Sequence, residues 1–341
     1  MRTQSTVCGA GIALAAAMLA ADPLATTPTF SRDIRPILQA HCTICHSPGG
    51  PSPMPLVTYE DALPWARKIK EQALTRHMPV WHAARGYGAF ENDPTLAANE
   101  IRLLVEWADQ GAVGAMGAVG ASGAGAGGAA GAGATGALSA GAETATIRTW
   151  NGWITGWTFV PWDPLISSAT FVSADGSTIG TWTAGDRPVR LPHGSAIRVT
   201  SPVSVEIHRR KKTTYEAPFT PRNSALRFSW LTAPEGQPRP QPARRVWTER
   251  LACGTTLGPA ESTIIGVRPL IPAGAAVQIA VERLGGAPPV LLGWFRDFDP
   301  LYARIYWLAQ PIEFAANARL TSDAPCQLDV ILAARRSSGQ H

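Results

Sequence analysis

Residues 111–146 read GAVGAMGAVGASGAGAGGAAGAGATGALSAGAETAT. Side chains this small bury too little surface to offset the entropy of ordering their backbone. Glycine at this density also disfavours a helix. The stretch predicts a flexible linker of about 36 residues, with a mean span of about 30–36 Å. The flanks on either side of it follow different periods. On the N-terminal side, Ser31 can cap a helix carrying Ile34, Ile37 and Leu38, with Pro36 in its first turn. Thr58 and Asp61 have the spacing of a capping box ahead of Trp65, Ile69, Ala73 and Leu74. Ile101, Leu104, Val105 and Ala108 follow the helical period up to Gly111, which supplies a stop. On the C-terminal side, short apolar or alternating runs at 169–172, 197–200, 203–207, 226–230, 276–281, 290–295 and 328–332 are punctuated by Gly and Pro, as in a β-sandwich. The sequence therefore predicts a multidomain chain: an all-α domain at 26–110, the Gly/Ala-rich linker at 111–146, and an all-β sandwich at 147–336.

Composition narrows the function classes. The 341 residues are 45% hydrophobic and 16% charged, which excludes wholesale disorder, and the 33 Gly and 29 Pro fit many turns. Beyond the N-terminus no run of 18 apolar residues occurs, which excludes a polytopic membrane protein. A net charge of +5 with dispersed basic residues argues against a nucleic-acid partner. The one tight basic run, Arg209-Arg210-Lys211-Lys212, reads as a solvated turn.

Met1-Arg2 followed by an apolar run over 7–21 predicts a secretory signal peptide at 1–25, with an uncleaved anchor as the alternative. Export would place the chain in the periplasm or another oxidising space. Of the five cysteines, Cys8 leaves with the signal, and Cys253 and Cys326 form a disulfide candidate. Two separate buried thiols are the alternative reading for that pair.

Cys42 and Cys45 belong to Cys42-Thr43-Ile44-Cys45-His46. A C-x-x-C-H run is the attachment motif of haem c. Two thiols on one turn can each add to one vinyl group of the porphyrin, and the adjacent imidazole then falls beneath the iron. A thioredoxin-like pair would need a βαβ setting, and a zinc site built from His41, Cys42, Cys45 and His46 would crowd four ligands into six residues. The expected site is one covalent haem anchored by Cys42 and Cys45, with His46 as one iron ligand. For the opposite ligand, Met78 before Pro79 is the first choice and Met54 the second. His77, His82 or an open position are the remaining candidates. His/Met ligation suits electron transfer, and an open position would allow ligand chemistry.

Residues 29–111 resemble bacterial monohaem cytochrome c domains of the planctomycete and acidobacterial type. The resemblance is carried by Phe30-Ser31-Arg32-Asp33-Ile34-Arg35-Pro36-Ile37-Leu38, the haem motif, Pro53-Met54-Pro55-Leu56, Thr58-Tyr59-Glu60-Asp61-Ala62, Trp65-Ala66 and Arg76-His77-Met78-Pro79-Val80-Trp81. In that family the methionine of a Met-Pro-Pro-Trp segment is the sixth ligand, which implies that role for Met78. Val80 stands here in place of the second proline.

The C-terminal half is similar to the copper type II ascorbate-dependent monooxygenases, the peptidylglycine α-hydroxylating type. The matching segments are 179–186, Arg190-Leu191-Pro192-His193-Gly194, Val205-Glu206-Ile207-His208-Arg209 and, loosely, 294–299. This resemblance implies a sandwich fold. It does not carry over the copper, because Ser167-Ser168 stand where the family has a His-His pair, and Leu270 and Pro272 stand where it has His-x-His. Only His208 occupies a ligand position. The expectation is thus a periplasmic c-type cytochrome that passes one electron to a redox partner protein, with a sandwich that docks rather than catalyses and no copper. A haem–copper oxidoreductase and a haem-based sensor or binding module are the alternatives.

Overall fold

The computed structural model describes residues 27–48, 50–114, 135–138, 143–149, 151–161, 163–211, 224–231, 242–257, 262–283, 287–313 and 318–334. The expected signal peptide at 1–25, Cys8, Lys212 and residues 115–134 of the expected linker lie outside them.

Four short α-helices form the N-terminal segment: α1 (Arg35–His41), α2 (Tyr59–Ala62), α3 (Ala66–Leu74) and α4 (Ala98–Asp109). A π-helical turn at Phe30–Ile34 leads into α1, with Thr29 rather than Ser31 at its cap position. The Thr29 amide donates to the Asp33 carboxylate at 2.7 Å. Pro36 sits in the first turn of α1, where its missing N–H costs nothing. Thr58 and Asp61 cap α2 reciprocally: the Asp61 amide donates to Thr58 Oγ1 at 3.1 Å and the Thr58 amide to Asp61 Oδ2 at 3.0 Å. α4 is followed by Gly111 at φ +83°, a left-handed position that glycine takes without strain. Phe30, Ile34, Leu38, Leu104 and Trp107 form the centre of this segment's own core.

Sixteen strands are described: β1 (Thr135–Leu138), β2 (Thr144–Ile147), β3 (Gly152–Val160), β4 (Ile166–Val172), β5 (Thr178–Thr183), β6 (Val189–Arg190), β7 (Ser195–Val199), β8 (Val203–Arg209), β9 (Ser224–Trp230), β10 (Arg244–Ala252), β11 (Ser262–Leu270), β12 (Val277–Glu282), β13 (Val290–Phe295), β14 (Tyr306–Glu313), β15 (Arg319–Ser322) and β16 (Gln327–Ala334). One nine-stranded sheet runs β1-β9-β3-β7-β10-β16-β11-β14, with β6 beside β3. A four-stranded sheet, β2-β8-β4-β5, shares one hydrophobic core with it, around Ile154, Trp157, Phe171 and Val205. A three-stranded sheet, β13-β12-β15, shares a second core with it, around Ile264, Ile279, Phe295 and Val330. β8 shows the expected alternation, with Val203, Val205 and Ile207 buried and the residues between them exposed. β11 is buried along nearly its whole length, as a central strand covered on both faces must be.

Two sequence expectations are corrected here. The chain does not form an all-α domain at 26–110 joined by a linker to a separate sandwich. Its helices are short, strands dominate the described residues, and the segment around 82–92, between α3 and α4, belongs to the β-structure. Ala83 and Phe90 form bridges with Phe295 and Leu308. The Ala84 amide donates to the Trp294 carbonyl at 2.7 Å, and the Arg296 amide to the His82 carbonyl at 2.9 Å. Ala83 is buried in the second β core, with Trp81 and Phe90 packed against it. The physical reason is that residues 81–92 carry no helical period, so their backbone groups find partners on open sheet edges. The stretch expected to be a linker also contributes strand: β1 lies inside it and pairs antiparallel with β9, Thr135 opposite Arg227. Strand pairing uses main-chain groups, so a scarcity of large side chains does not prevent it.

Cys253 and Cys326 are joined in a disulfide, with Cα atoms 5.3 Å apart and a sequence separation of 73. No described helix is long and apolar enough to cross a membrane.

Candidate functional site

α1 ends in a chain of turns that sets the motif in place. The Cys42 amide donates to the Leu38 carbonyl at 2.8 Å, and the Cys45 and His46 amides donate to the Cys42 carbonyl at 3.0 and 2.8 Å. This arrangement puts Cys42, Cys45 and His46 along one wall of a cavity of about 400 Å³. Ile69 and Ala73 from α3, Leu104 from α4, and Leu96 close it with apolar surface. Met54, Met78 and Val80 also line it. The site residues read from the sequence are thus brought together, Met78 included.

His46 is buried, 8% exposed. Its Nδ1 lies 3.0 Å from the Met54 carbonyl. A carbonyl only accepts, so Nδ1 carries the proton and the neutral ring has its lone pair on Nε2. Burial holds the imidazole pKa below its ordinary value, which favours that neutral form. This is the state in which an imidazole ligates a metal, with its orientation fixed by the outer hydrogen bond.

The two thiols are free. Burial pushes Cys42 up to about 12, helped by the nearby Cys45 and Glu100. Burial pushes Cys45 up to about 11, opposed by Arg304 and assisted by Asp186. Both remain protonated at neutral pH. A thioredoxin-like pair needs the opposite, a thiol lowered toward neutrality.

His41 also lines the cavity but is engaged elsewhere, with Nδ1 2.9 Å from the Pro94 carbonyl and Nε2 3.0 Å from Glu100 Oε1. It is therefore not disposed as a zinc ligand. Among the described residues, no group of three or more His, Cys, Asp or Glu could hold a metal ion. His77 is exposed and does not line the cavity. His208 is exposed on β8 opposite Ser168 of β4, and His193 is exposed.

His82 is buried in the β-structure. The Asp299 amide donates to its Nε2 at 3.3 Å, Nδ1 faces the Tyr306 hydroxyl at 3.3 Å, and the ring packs on Phe298. Burial, with Arg304 adding to it, lowers its pKa to about 4. The unfolded chain therefore binds a proton at His82 that the folded chain refuses between about pH 6.5 and pH 4. Stability from this residue is complete above the unfolded pKa and is lost as the pH falls through that window, by an amount on the order of 3 kcal/mol. Urea titrations at pH 7, 5.5 and 4 are expected to show the loss, and His82→Gln is expected to flatten it. A variant with the same slope as the parent would place the titration elsewhere.

Residues far along the chain complete the cavity, and sequence reasoning missed them. Ala184 and Gly185, Arg210, Tyr302 and Arg304 form its remaining wall. The turn after β5 is closed by two bonds: the Asp186 amide donates to the Thr183 carbonyl and the Thr183 amide to Asp186 Oδ2, both at 2.8 Å. Gly185 takes φ +91° there, and a Cβ on it would lie 3.0 Å from Cys45 Sγ. Arg210, expected in a solvated turn, instead donates to the Pro51 carbonyl at 3.0 Å and the Pro164 carbonyl at 3.1 Å. Arg187 donates to the Ala40 carbonyl at 2.8 Å. The only local sequence signal for this wall was Thr183-Ala184-Gly185-Asp186, whose Gly-Asp pair marks a turn.

No family model and no curated protein matches the chain. Among solved structures it is similar to a chain of the Sulfolobus turreted icosahedral virus, at 10% identity over 59% of this chain and 88% of that one, with a TM-score of 0.25. It is also similar to the regulatory domain of Toxoplasma gondii PKA, determined with cAMP, at 10% identity over 57% of this chain and 77% of that one, with a TM-score of 0.13. Likeness at that level assigns neither a family nor an activity.

Proposed function

We propose that the chain is a monohaem c-type cytochrome that carries single electrons to and from a redox partner protein in the periplasm or another exported location. The observation that supports this best is the convergence of Cys42, Cys45, His46 and Met78 on one apolar cavity, with the His46 lone pair left on Nε2. The residues fit the group. Cys42 and Cys45 would anchor it covalently, and His46 and Met78 would hold its iron. When bound, haem supplies a reversible one-electron couple whose potential depends on axial ligands, burial and nearby charge. The chain's own contribution is to hold His46 neutral and oriented, to present the thioether of Met78, and to exclude water with the apolar wall.

Met78 is 40% exposed and lines the cavity, so a ligand position there would cover it. Met54 is tied to the other side, because its carbonyl receives the His46 proton. His82 is committed to Asp299 and Tyr306. These observations favour Met78 among the candidates. The Cys253–Cys326 disulfide agrees with an oxidising compartment. The resemblance to monooxygenases supports no copper chemistry here, since His208 has Ser168 as its neighbour across the strand pair.

Met78→Ala is expected to abolish the sulfur-to-iron charge-transfer absorption of the oxidised protein and to lower its potential. Absorption spectra and a redox titration of the purified holoprotein would check both. An unchanged spectrum would assign the sixth position to another residue.

A further inference from the structure

The cavity wall supplied by the β-structure carries a buried positive charge that its surroundings compensate only in part. Arg304 is 5% exposed. Its Nη2 donates to the Ala184 carbonyl at 3.0 Å. Its Nη1 stands 3.6 Å from Asp186 Oδ1, beyond hydrogen-bond range. Its Nε is buried with no hydrogen-bond partner among the described residues. The other Asp186 oxygen is occupied by the Thr183 amide. The second buried guanidinium nearby, Arg268, differs in this respect, since it donates to Asp329 at 3.2 Å.

Arg304 also lies at the cofactor's attachment point. A Cβ on Gly185 would lie 3.0 Å from Cys45 Sγ and 3.7 Å from Arg304 Nη2, so the guanidinium and the thiol flank the same small turn. On its other side the guanidinium carbon is 5.9 Å from the ring centroid of Trp81. A charge held this way, among apolar walls, acts through a lower effective dielectric constant and is screened less than a surface charge.

Resting on the reading that the cavity takes haem, we propose that Arg304 is a positioning residue that raises the reduction potential of that haem through its buried positive charge. Reduction adds an electron beside a fixed cation, which Coulomb attraction favours. The β-structure would thus set the redox poise of a group attached to the helical segment more than 250 positions earlier in the sequence, counted from Cys45 to Arg304.

The experiment is an equilibrium redox titration of purified holoprotein, with covalent haem checked on the denatured chain. Arg304→Gln is expected to shift the potential negative, and Arg304→Lys, which keeps the charge, to stay close to the parent. Arg304→Met serves as the neutral variant if the glutamine form does not fold. Arg187→Gln removes another contact between the same two parts, at an exposed position, and is expected to leave the potential where it was. Equal shifts for the Gln and Lys variants would overturn the proposal in favour of packing. A shift in Arg187→Gln as large as that in Arg304→Gln would overturn it in favour of loosened docking, and an unmoved potential in Arg304→Gln would overturn it outright. A parent chain without covalent haem defeats the cytochrome reading and this one with it. Haem present with an unmoved potential defeats this one alone.

Discussion

Replacing both Cys42 and Cys45 by serine is expected to leave no haem on the chain after denaturation, where the parent retains it in full. The effect should be complete because, among the described residues, the two thiols are the only covalent route into the cavity: Cys253 and Cys326 are joined to each other, and neither lines it. The hydrogen bonds from the amides of Cys42, Cys45 and His46 do not involve either sulfur, so the turn should survive the substitution. Serine also fills nearly the same volume as cysteine. The double variant may therefore be compared with the parent at equal fold. Each single variant should keep one thioether and hold haem less securely. In-gel haem staining after boiling in detergent, alongside intact mass, would read all three. Full covalent haem on the double variant would end the cytochrome reading.

Loss of the disulfide is expected to have the largest effect on stability. Cys253 lies just beyond β10 and Cys326 just before β16, and the Cys253 amide donates to the Cys326 carbonyl at 2.8 Å. Cross-linking across 73 residues restricts the unfolded chain enough to stabilise the fold by about 4 kcal/mol in the chain-entropy view. Cys253→Ser/Cys326→Ser should lower the urea midpoint accordingly, and reductant should then have no further effect on the variant. An unchanged midpoint would mean that the unfolded chain is already constrained in this region.

The grouping of the motif residues on one cavity wall was legible in the sequence because it is local. Cys42, Cys45 and His46 lie within five positions, and one turn of backbone brings them together. Met78 stood out because Pro79 follows it a little beyond the helical run, which ends at Leu74. Seven strands were legible for a similar reason, since runs such as Val203, Val205 and Ile207 alternate on a half-buried surface. β11 left no such trace. A strand covered on both faces does not alternate, and Pro269 within it reads as a breaker. The error over the helical segment had a different source. Helical periods over 34–38, 65–74 and 101–108 are real, but they say nothing of what Ala83 and Phe90 will pair with. Those partners, Phe295 and Leu308, lie more than 200 residues away. Arg304 and Gly185 were invisible as cavity residues on the same account: no local pattern marks a wall that another part of the chain supplies.

The position of β16 has a consequence for timing. The most C-terminal described strand lies between β10 and β11, in the interior of the large sheet. Until it is synthesised, those two strands have open edges toward one another, and neither β core can be sealed. A growing chain therefore stays pliable in this sheet until β16 has emerged. During that interval Cys45 is still reachable, before the turn at Gly185 settles beside it.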